Sequence, residues 1–300
     1  MATPQPQAVV EARAADGAVL RLRRHGNATA PTRLFVSHGN GFATDGYIQF
    51  WSRFLADFDV VVFDMRNHGQ NPPAEPSHHD YPHMVGDIAT VAIAARAEFG
   101  NKAAAGVFHS MSAQSALMQM MAGGEHFAGL VLFDPPNVPP AGDAGHEPML
   151  AYLRMLTAWA ARRRDRFADP LELAREYGRS RSGRAWSPGA REQMASAVLR
   201  EEATQWRLAC RPELESSMYR QGIDLGLWPR RSDVPAPVKL IGADPERDHP
   251  AATALANRAL ARDGGFDYLA IPETSHLMQL EKPRVCAEAT LDALRNWGLF

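Results

Sequence analysis

The chain has 300 residues, enough for one large α/β domain or two smaller ones. Its formal net charge of −2 offers no footprint for a nucleic acid or an anionic membrane, and no apolar run approaches the roughly 18 residues needed to span a bilayer. Its two cysteines, Cys210 and Cys286, have no metal-like spacing, which argues against a disulfide framework and allows a reducing compartment.

The first eight residues are polar and proline-rich, without the basic and apolar regions of a signal peptide, so a cytoplasmic location is expected. Strand-like runs follow at 9–14 and 18–24, with Asp16-Gly17 between them as a hairpin turn. Strand and helix then alternate. Leu34-Phe35-Val36 is a short apolar strand, followed by the loop His38-Gly39-Asn40-Gly41. A helix is predicted over 47–56, and Val60-Val61-Val62-Phe63 reads as a strand buried on both faces. A loop rich in Pro, His and Asn leads to a helix over 81–98, where Val85, Ile88, Ala92 and Ala95 recur at helical spacing and Gly100 suits the cap. A strand over 103–108 stops at Ser110, a helix over 113–122 follows, and 130–133 is the next strand.

Pro135, Pro136, Pro139 and Pro140 interrupt the alternation. From about 149 to 227 the pattern is wholly helical. A strand at 238–241, a helix at 251–261, a strand at 268–271 and a helix at 283–297 complete the chain. This predicts an α/β fold with a mostly parallel central sheet, antiparallel N-terminal strands, helices on both faces and a helical insertion after the strand ending near Asp134. The expected division is a core over 1–135 and 234–300, with a helical cap over 136–233.

The run Val107-Phe108-His109-Ser110-Met111-Ser112 carries the chemistry. A serine on a sharp strand-to-helix turn presents its hydroxyl for attack. The usual pattern is Gly-x-Ser-x-Gly, and here Phe108 and Ser112 fill the glycine positions. A serine hydroxyl also needs a neutral imidazole to take its proton and a carboxylate to fix the imidazole tautomer. His276 lies just past the last strand, and Asp244 past the one before it. Parallel strands gather their C-terminal ends along one edge, so these residues can meet Ser110 there. Asp244 is the expected acid, with Asp134 and Asp248 as alternatives. The N–H groups of Asn40 and Met111 are the expected oxyanion donors.

Other residues receive plainer readings. His78, His79, Asp80 and His83 resemble a metal cluster but fit a solvated loop and helix start, and no metal or cofactor is expected. His109 is expected to pack or hydrogen-bond locally. Arg162-Arg163-Arg164 reads as a solvated helix face. Phe42 and Trp159 are candidate substrate contacts, and the apolar residues of the insertion suggest an apolar ligand.

Five segments in order resemble the α/β-hydrolase superfamily, in its capped esterase- and lipase-like branch: His38-Gly39-Asn40-Gly41-Phe42, Asp64-Met65-Arg66-Asn67-His68-Gly69, His109-Ser110-Met111, Gly242-Ala243-Asp244, and His276-Leu277 leading to Glu281-Lys282-Pro283. Asn67 stands where that family's turn has glycine. The resemblance covers nearly the whole chain outside the insertion. It implies a Ser-His-acid triad, no cofactor, a cap over the pocket, a small-molecule substrate, and structural roles for His38 and His68 in loops beneath the site. On that resemblance the expected reaction is hydrolysis of an apolar carboxylic ester. C–C bond hydrolysis, perhydrolysis or cyanohydrin cleavage by the same machinery are alternatives. A non-catalytic ligand-binding protein on the same scaffold is a third reading, favoured only by Phe108.

Overall fold

The computed structural model describes residues 3–124 and 126–300. Strands β1 (Ala8–Arg13), β2 (Val19–Gly26), β3 (Thr32–Val36), β4 (Asp59–Phe63), β5 (Ala103–His109) and β6 (Gly129–Phe133) build the first part of a sheet. After the three short strands of an insert, β7 (Arg166–Phe167), β8 (Leu199–Glu202) and β9 (Gln205–Leu208), strands β10 (Val238–Gly242) and β11 (Asp267–Ala270) complete it. The order is β1-β2-β4-β3-β5-β6-β10-β11. The β1–β2 and β2–β4 pairs are antiparallel and the others parallel. The expected mostly parallel sheet with an antiparallel N-terminal edge is what forms.

The central strands are near-continuous apolar runs because helices cover both faces. The two-residue period sorts their side chains. Leu34, Val36, Val60, Val62, Val131 and Phe133 join one core with Phe50, Trp51, Phe54 and Leu294. Phe35, Val61, Phe63, Phe108, Leu130 and Leu132 join the other with Ile88, Val91 and Leu117.

The covering helices are α1 (Ile48–Trp51), α2 (Tyr81–Phe99), α3 (Met111–Met121), α8 (Ala252–Gly264), α9 (Met278–Glu281) and α10 (Pro283–Asn296). Asp80 caps α2 by accepting from the His83 N–H at 2.9 Å. The single helix expected over 47–56 is instead three short pieces, 3₁₀ turns at Thr44–Tyr47 and Ser52–Phe54 flanking α1. Its large aromatics Tyr47, Phe50, Trp51 and Phe54 are all buried, so packing rather than helical periodicity sets this segment.

Between β6 and β10 the insert carries α4 (His146–Ala160), α5 (Pro170–Arg179), α6 (Ala190–Val198) and α7 (Pro212–Asp224). It is not wholly helical. Strands β7, β9 and β8 form a small antiparallel sheet, with Leu199 opposite Leu208 and Phe167 opposite Trp206. These strands have only two to four residues and alternate polar with apolar too briefly for a period to register. Phe167, Leu173, Trp186, Met194 and Leu208 of the insert share one core cluster with the sheet. Among the described residues, no helix is long and apolar enough to cross a membrane.

Candidate active site

Ser110 directly follows β5 with φ 55° and ψ −116°, a conformation that L-residues rarely adopt, and α3 begins at the next residue. Its N–H donates to Phe133 O at 2.9 Å, and its carbonyl accepts the Gln114 N–H at 3.0 Å. The turn is therefore held from both sides. Phe108 does not distort it. The ring is fully buried, edge-on to Phe63 and Phe127, and lies over Gly106, where a Cβ would overlap it. The space that a small residue normally leaves at 108 is supplied two residues earlier on the same strand face. Ser112 takes the second glycine position and uses its hydroxyl there, accepting from His109 N at 3.1 Å and donating to His109 O at 3.0 Å.

His276 meets this serine, its Nε2 lying 3.0 Å from Ser110 Oγ. Its Nδ1 lies 2.6 Å from Asp134 Oδ2. A carboxylate only accepts, so Nδ1 carries the hydrogen and Nε2 presents its lone pair to the serine. Asp134 is fully buried at the end of β6, with φ 45°. Its second oxygen accepts from Ala243 N at 3.2 Å and from Asn257 Nδ2 at 3.1 Å. Asn257 is a site residue the sequence reading missed. The available signal was an amide on the apolar face of a helix, between Ala254 and Leu260.

The expected acid, Asp244, is not the partner of His276. Its carboxylate accepts the Glu273 N–H at 2.6 Å and the Glu246 N–H at 2.8 Å, which hold it below the usual carboxylate range. It thus ties the loop after β10 to the loop bearing His276. Asp248, the other alternative, is exposed in that loop.

The histidine loop is anchored at several points. Ser275 N donates to Glu281 Oε2 at 2.8 Å, and Thr274 Oγ1 donates to Ile271 O at 2.7 Å. His109 Nε2 donates to the His276 carbonyl at 2.9 Å, so its Nδ1 accepts from the Tyr47 hydroxyl at 2.9 Å. His109 is buried against the His276 ring, and burial holds it well below the ordinary histidine value, as a neutral strut.

The loop after β3 faces the same point. His38 donates from Nδ1 to Gly39 O at 2.8 Å and accepts the Met65 N–H on Nε2 at 3.0 Å. His68 donates from Nδ1 to Arg66 O at 2.8 Å and accepts the Gly41 N–H on Nε2 at 3.1 Å. Burial lowers both from the ordinary value, which keeps each acceptor nitrogen unprotonated. The turn carrying His68 is fixed in turn. Arg66 forms a fork with Asp87 at 2.6 and 2.7 Å, and Asn67 takes the glycine position at φ 61° while accepting the Ala74 N–H.

Asn40 and Met111, the expected oxyanion donors, line a cavity beside Ser110 with Tyr81, Pro136, Leu153, Met218 and Tyr219. The cavity measures about 10 Å³, close to the space of one water. The two expected substrate contacts lie elsewhere. Phe42 packs edge-on against Tyr47 and Trp186, and Trp159 is about half exposed beneath the Arg163 guanidinium. Neither borders the cavity, because Phe42 is drawn into the core and Trp159 faces outward on α4.

Among the described residues, two groups bring three potential metal-binding atoms within 4.8 Å of one another: His68, His79 and Cys210, and Asp16, His78 and His83. In the first, both ring nitrogens of His68 are engaged with the backbone. In the second, Asp16 also accepts from the Arg66 cation at 2.8 Å. The histidine-rich loop is only partly solvated: His79 is buried, ring to ring with His68. Arg163, expected on a solvated face, is largely buried against Glu215.

The model of a family described as the alpha/beta hydrolase family matches residues 34–289. No curated protein matches the chain. Among solved structures, the chain resembles an E-2-(acetamidomethylene)succinate hydrolase at 19% identity and TM-score 0.71, covering 97% of this chain and 99% of the other. It also resembles an esterase from a Rhodococcus species at 20% identity and TM-score 0.69, with 97% and 100% covered. A third likeness is to a thermophilic esterase from Thermogutta terrifontis, at 18% identity and TM-score 0.68, with 97% and 99% covered.

Proposed function

The chain belongs to the alpha/beta hydrolase family, and from that premise we propose that it is a serine hydrolase cleaving a small carboxylic ester through an acyl-enzyme on Ser110. The observation that carries the reading is the unbroken chain Ser110 Oγ–His276–Asp134, at 3.0 and 2.6 Å. Ser110 attacks the ester carbonyl while His276 Nε2 takes its proton. Asp134 holds the tautomer and stabilises the imidazolium. The Asn40 and Met111 amides receive the oxyanion, each such donor being worth about 3–4 kcal/mol in the transition state. His276 then protonates the leaving alcohol, and water repeats the cycle on the acyl-enzyme. The insert acts as a cap, its α4 and α7 supplying Leu153, Met218 and Tyr219 to the cavity.

The lining tempers the expectation of an apolar ester. Asn40, Tyr81 and Tyr219 interrupt an otherwise apolar wall, and the cavity has little room. That mixed lining suits a short, partly polar acyl group better than a long lipid chain. The non-catalytic reading rested on Phe108, and the room over Gly106 removes its support. The test is a fluorophosphonate probe with p-nitrophenyl esters of increasing chain length. Labelling and acetate hydrolysis that both vanish in Ser110→Ala are expected. A folded wild type that neither labels nor hydrolyses any ester refutes the proposal.

A further inference from the structure

A buried ion pair stands over the oxyanion loop, and the reaction proposed above does not use it. Arg163, in the turn after α4, places Nη1 2.5 Å from Oε2 of Glu215 on α7, with side-chain exposures of 9% and 2%. Glu215 is fastened to the loop twice. Its carbonyl accepts Asn40 Nδ2 at 2.8 Å, and its carboxylate lies so close to Gly41 that a Cβ there would overlap it. From the opposite side, His68 Nε2 accepts the Gly41 N–H. The loop that offers the Asn40 amide is thus clamped between α7 and the turn carrying His68.

The clamp sets a negative charge against Gly41, the residue next to the Asn40 amide that would receive the oxyanion. An uncompensated carboxylate there would oppose the transition state. The other titratable groups facing Glu215 are Tyr177 of α5, Cys210 before α7 and Tyr219 of α7. Burial raises all three, so they stay neutral in the working range and cannot offset the charge. Arg163 is the cation that faces it. Burial moves the Glu215 carboxyl upward, against the opposing pull of Arg163.

We propose that Arg163 is a positioning residue that neutralises Glu215, so that α7 can clamp the oxyanion loop without setting a negative charge against the reaction. The inference rests on the serine-hydrolase reading and goes beyond it. Its test is a set of pH–rate profiles for p-nitrophenyl acetate. Arg163→Met should lower kcat by about 10- to 100-fold above pH 8. Its rate relative to wild type should climb as pH falls and Glu215 takes a proton. Glu215→Gln should leave kcat at or above the wild-type value, the Arg163→Met/Glu215→Gln pair should recover most of the loss with a flat ratio, and Arg163→Lys should stay near wild type. A pure packing role would lower Arg163→Met and Glu215→Gln alike, at every pH. A pH-independent ratio, a double variant no better than Arg163→Met, or a tenfold loss in Glu215→Gln overturns the proposal. If Arg163→Met does not fold, Arg163→Gln, which also removes the charge, must show the same pH-dependent loss, and a pH-independent ratio there overturns the proposal. Fluorophosphonate labelling of wild type separates the two readings: an unlabelled Ser110 sinks the hydrolase reading itself, whereas labelling with flat ratios sinks only this one.

Discussion

Replacing Asp134 by asparagine tests the role proposed for it. In the native site one carboxylate oxygen accepts from Ala243 N and Asn257 Nδ2, and the other faces His276 Nδ1. An asparagine turns its own oxygen toward the two donors, because its NH₂ would clash with them. The NH₂ then points at His276 and asks Nδ1 to accept, so the imidazole hydrogen moves to Nε2 and faces Ser110. The base is lost without loss of shape. Restoring the productive tautomer would forfeit a hydrogen bond to a charged group, about 1.5–3 kcal/mol, and leave a buried donor unpaired, about 1–3 kcal/mol more. The sum, about 2.5–6 kcal/mol, corresponds to a fall in kcat of about 10²- to 10⁴-fold. Asp244→Asn is the control. It weakens two bonds to backbone N–H groups at the surface and should cost stability but less than tenfold in kcat. The assay is kcat on p-nitrophenyl acetate, with melting temperatures to verify folding. A folded Asp134→Asn retaining more than a tenth of wild-type kcat, or an Asp244→Asn losing as much as Asp134→Asn, would refute the assignment.

Three further outcomes are expected. Gly106→Ala should destabilise by about 1–3 kcal/mol in denaturant unfolding, and by much less in a Phe108→Ala background, because the added methyl meets the Phe108 ring; additive effects would contradict the packing account. His25 and His79, lowered by burial to about 4 from 6.5, stay neutral while the unfolded chain takes up protons. Stability should therefore be full above pH 6.5 and fall between pH 6.5 and 4, by about 1.4 kcal/mol per pH unit for each group; His25→Leu should make that slope shallower, and an unchanged slope counts against it. Ser110→Gly should abolish ester hydrolysis yet raise the melting temperature, since glycine accepts φ 55° without strain; a lower melting temperature would mean the turn is unstrained.

The sheet was legible because its strands are short apolar runs separated by turn residues, and because parallel strands buried on both faces leave few other readings for Val60–Phe63 or Leu130–Phe133. Ser110, His276 and the Asn40 loop were legible for the same reason: each follows a strand end. The acid was not. Asp134 and Asp244 both follow strands of one sheet edge, and neighbouring strands bring either within reach of His276. What decides between them is long-range. Asp134 donates its N–H to Ile241 O, and its carboxylate accepts from Ala243 N after β10 and from Asn257 of α8, whereas Asp244 finds backbone donors in its own loop and in the loop after β11. The Arg163 burial was illegible in a different way. Three consecutive arginines read as solvent-facing until Glu215, 52 residues away, supplies the partner.

The distribution of backbone strain argues for function independently of any motif. Five non-glycine residues among those described have positive φ: Asn67, Ser110, Asp134, Ala203 and Glu273. Ala203 turns the small hairpin of the insert, an ordinary use. The other four surround one point. Asn67 shapes the turn whose His68 holds Gly41; Ser110 and Asp134 are two members of the hydrogen-bonded chain; Glu273 opens the loop that carries His276. Such conformations cost about 1–3 kcal/mol each and persist only where the surroundings over-determine them. Asparagine and aspartate tolerate them through local hydrogen bonds, but serine and glutamate have no such advantage. A scaffold that merely bound a ligand would have no reason to hold Ser110 at φ 55° in place of the glycine that fits there freely. The strain is explained if the hydroxyl itself is needed at that spot, within reach of His276.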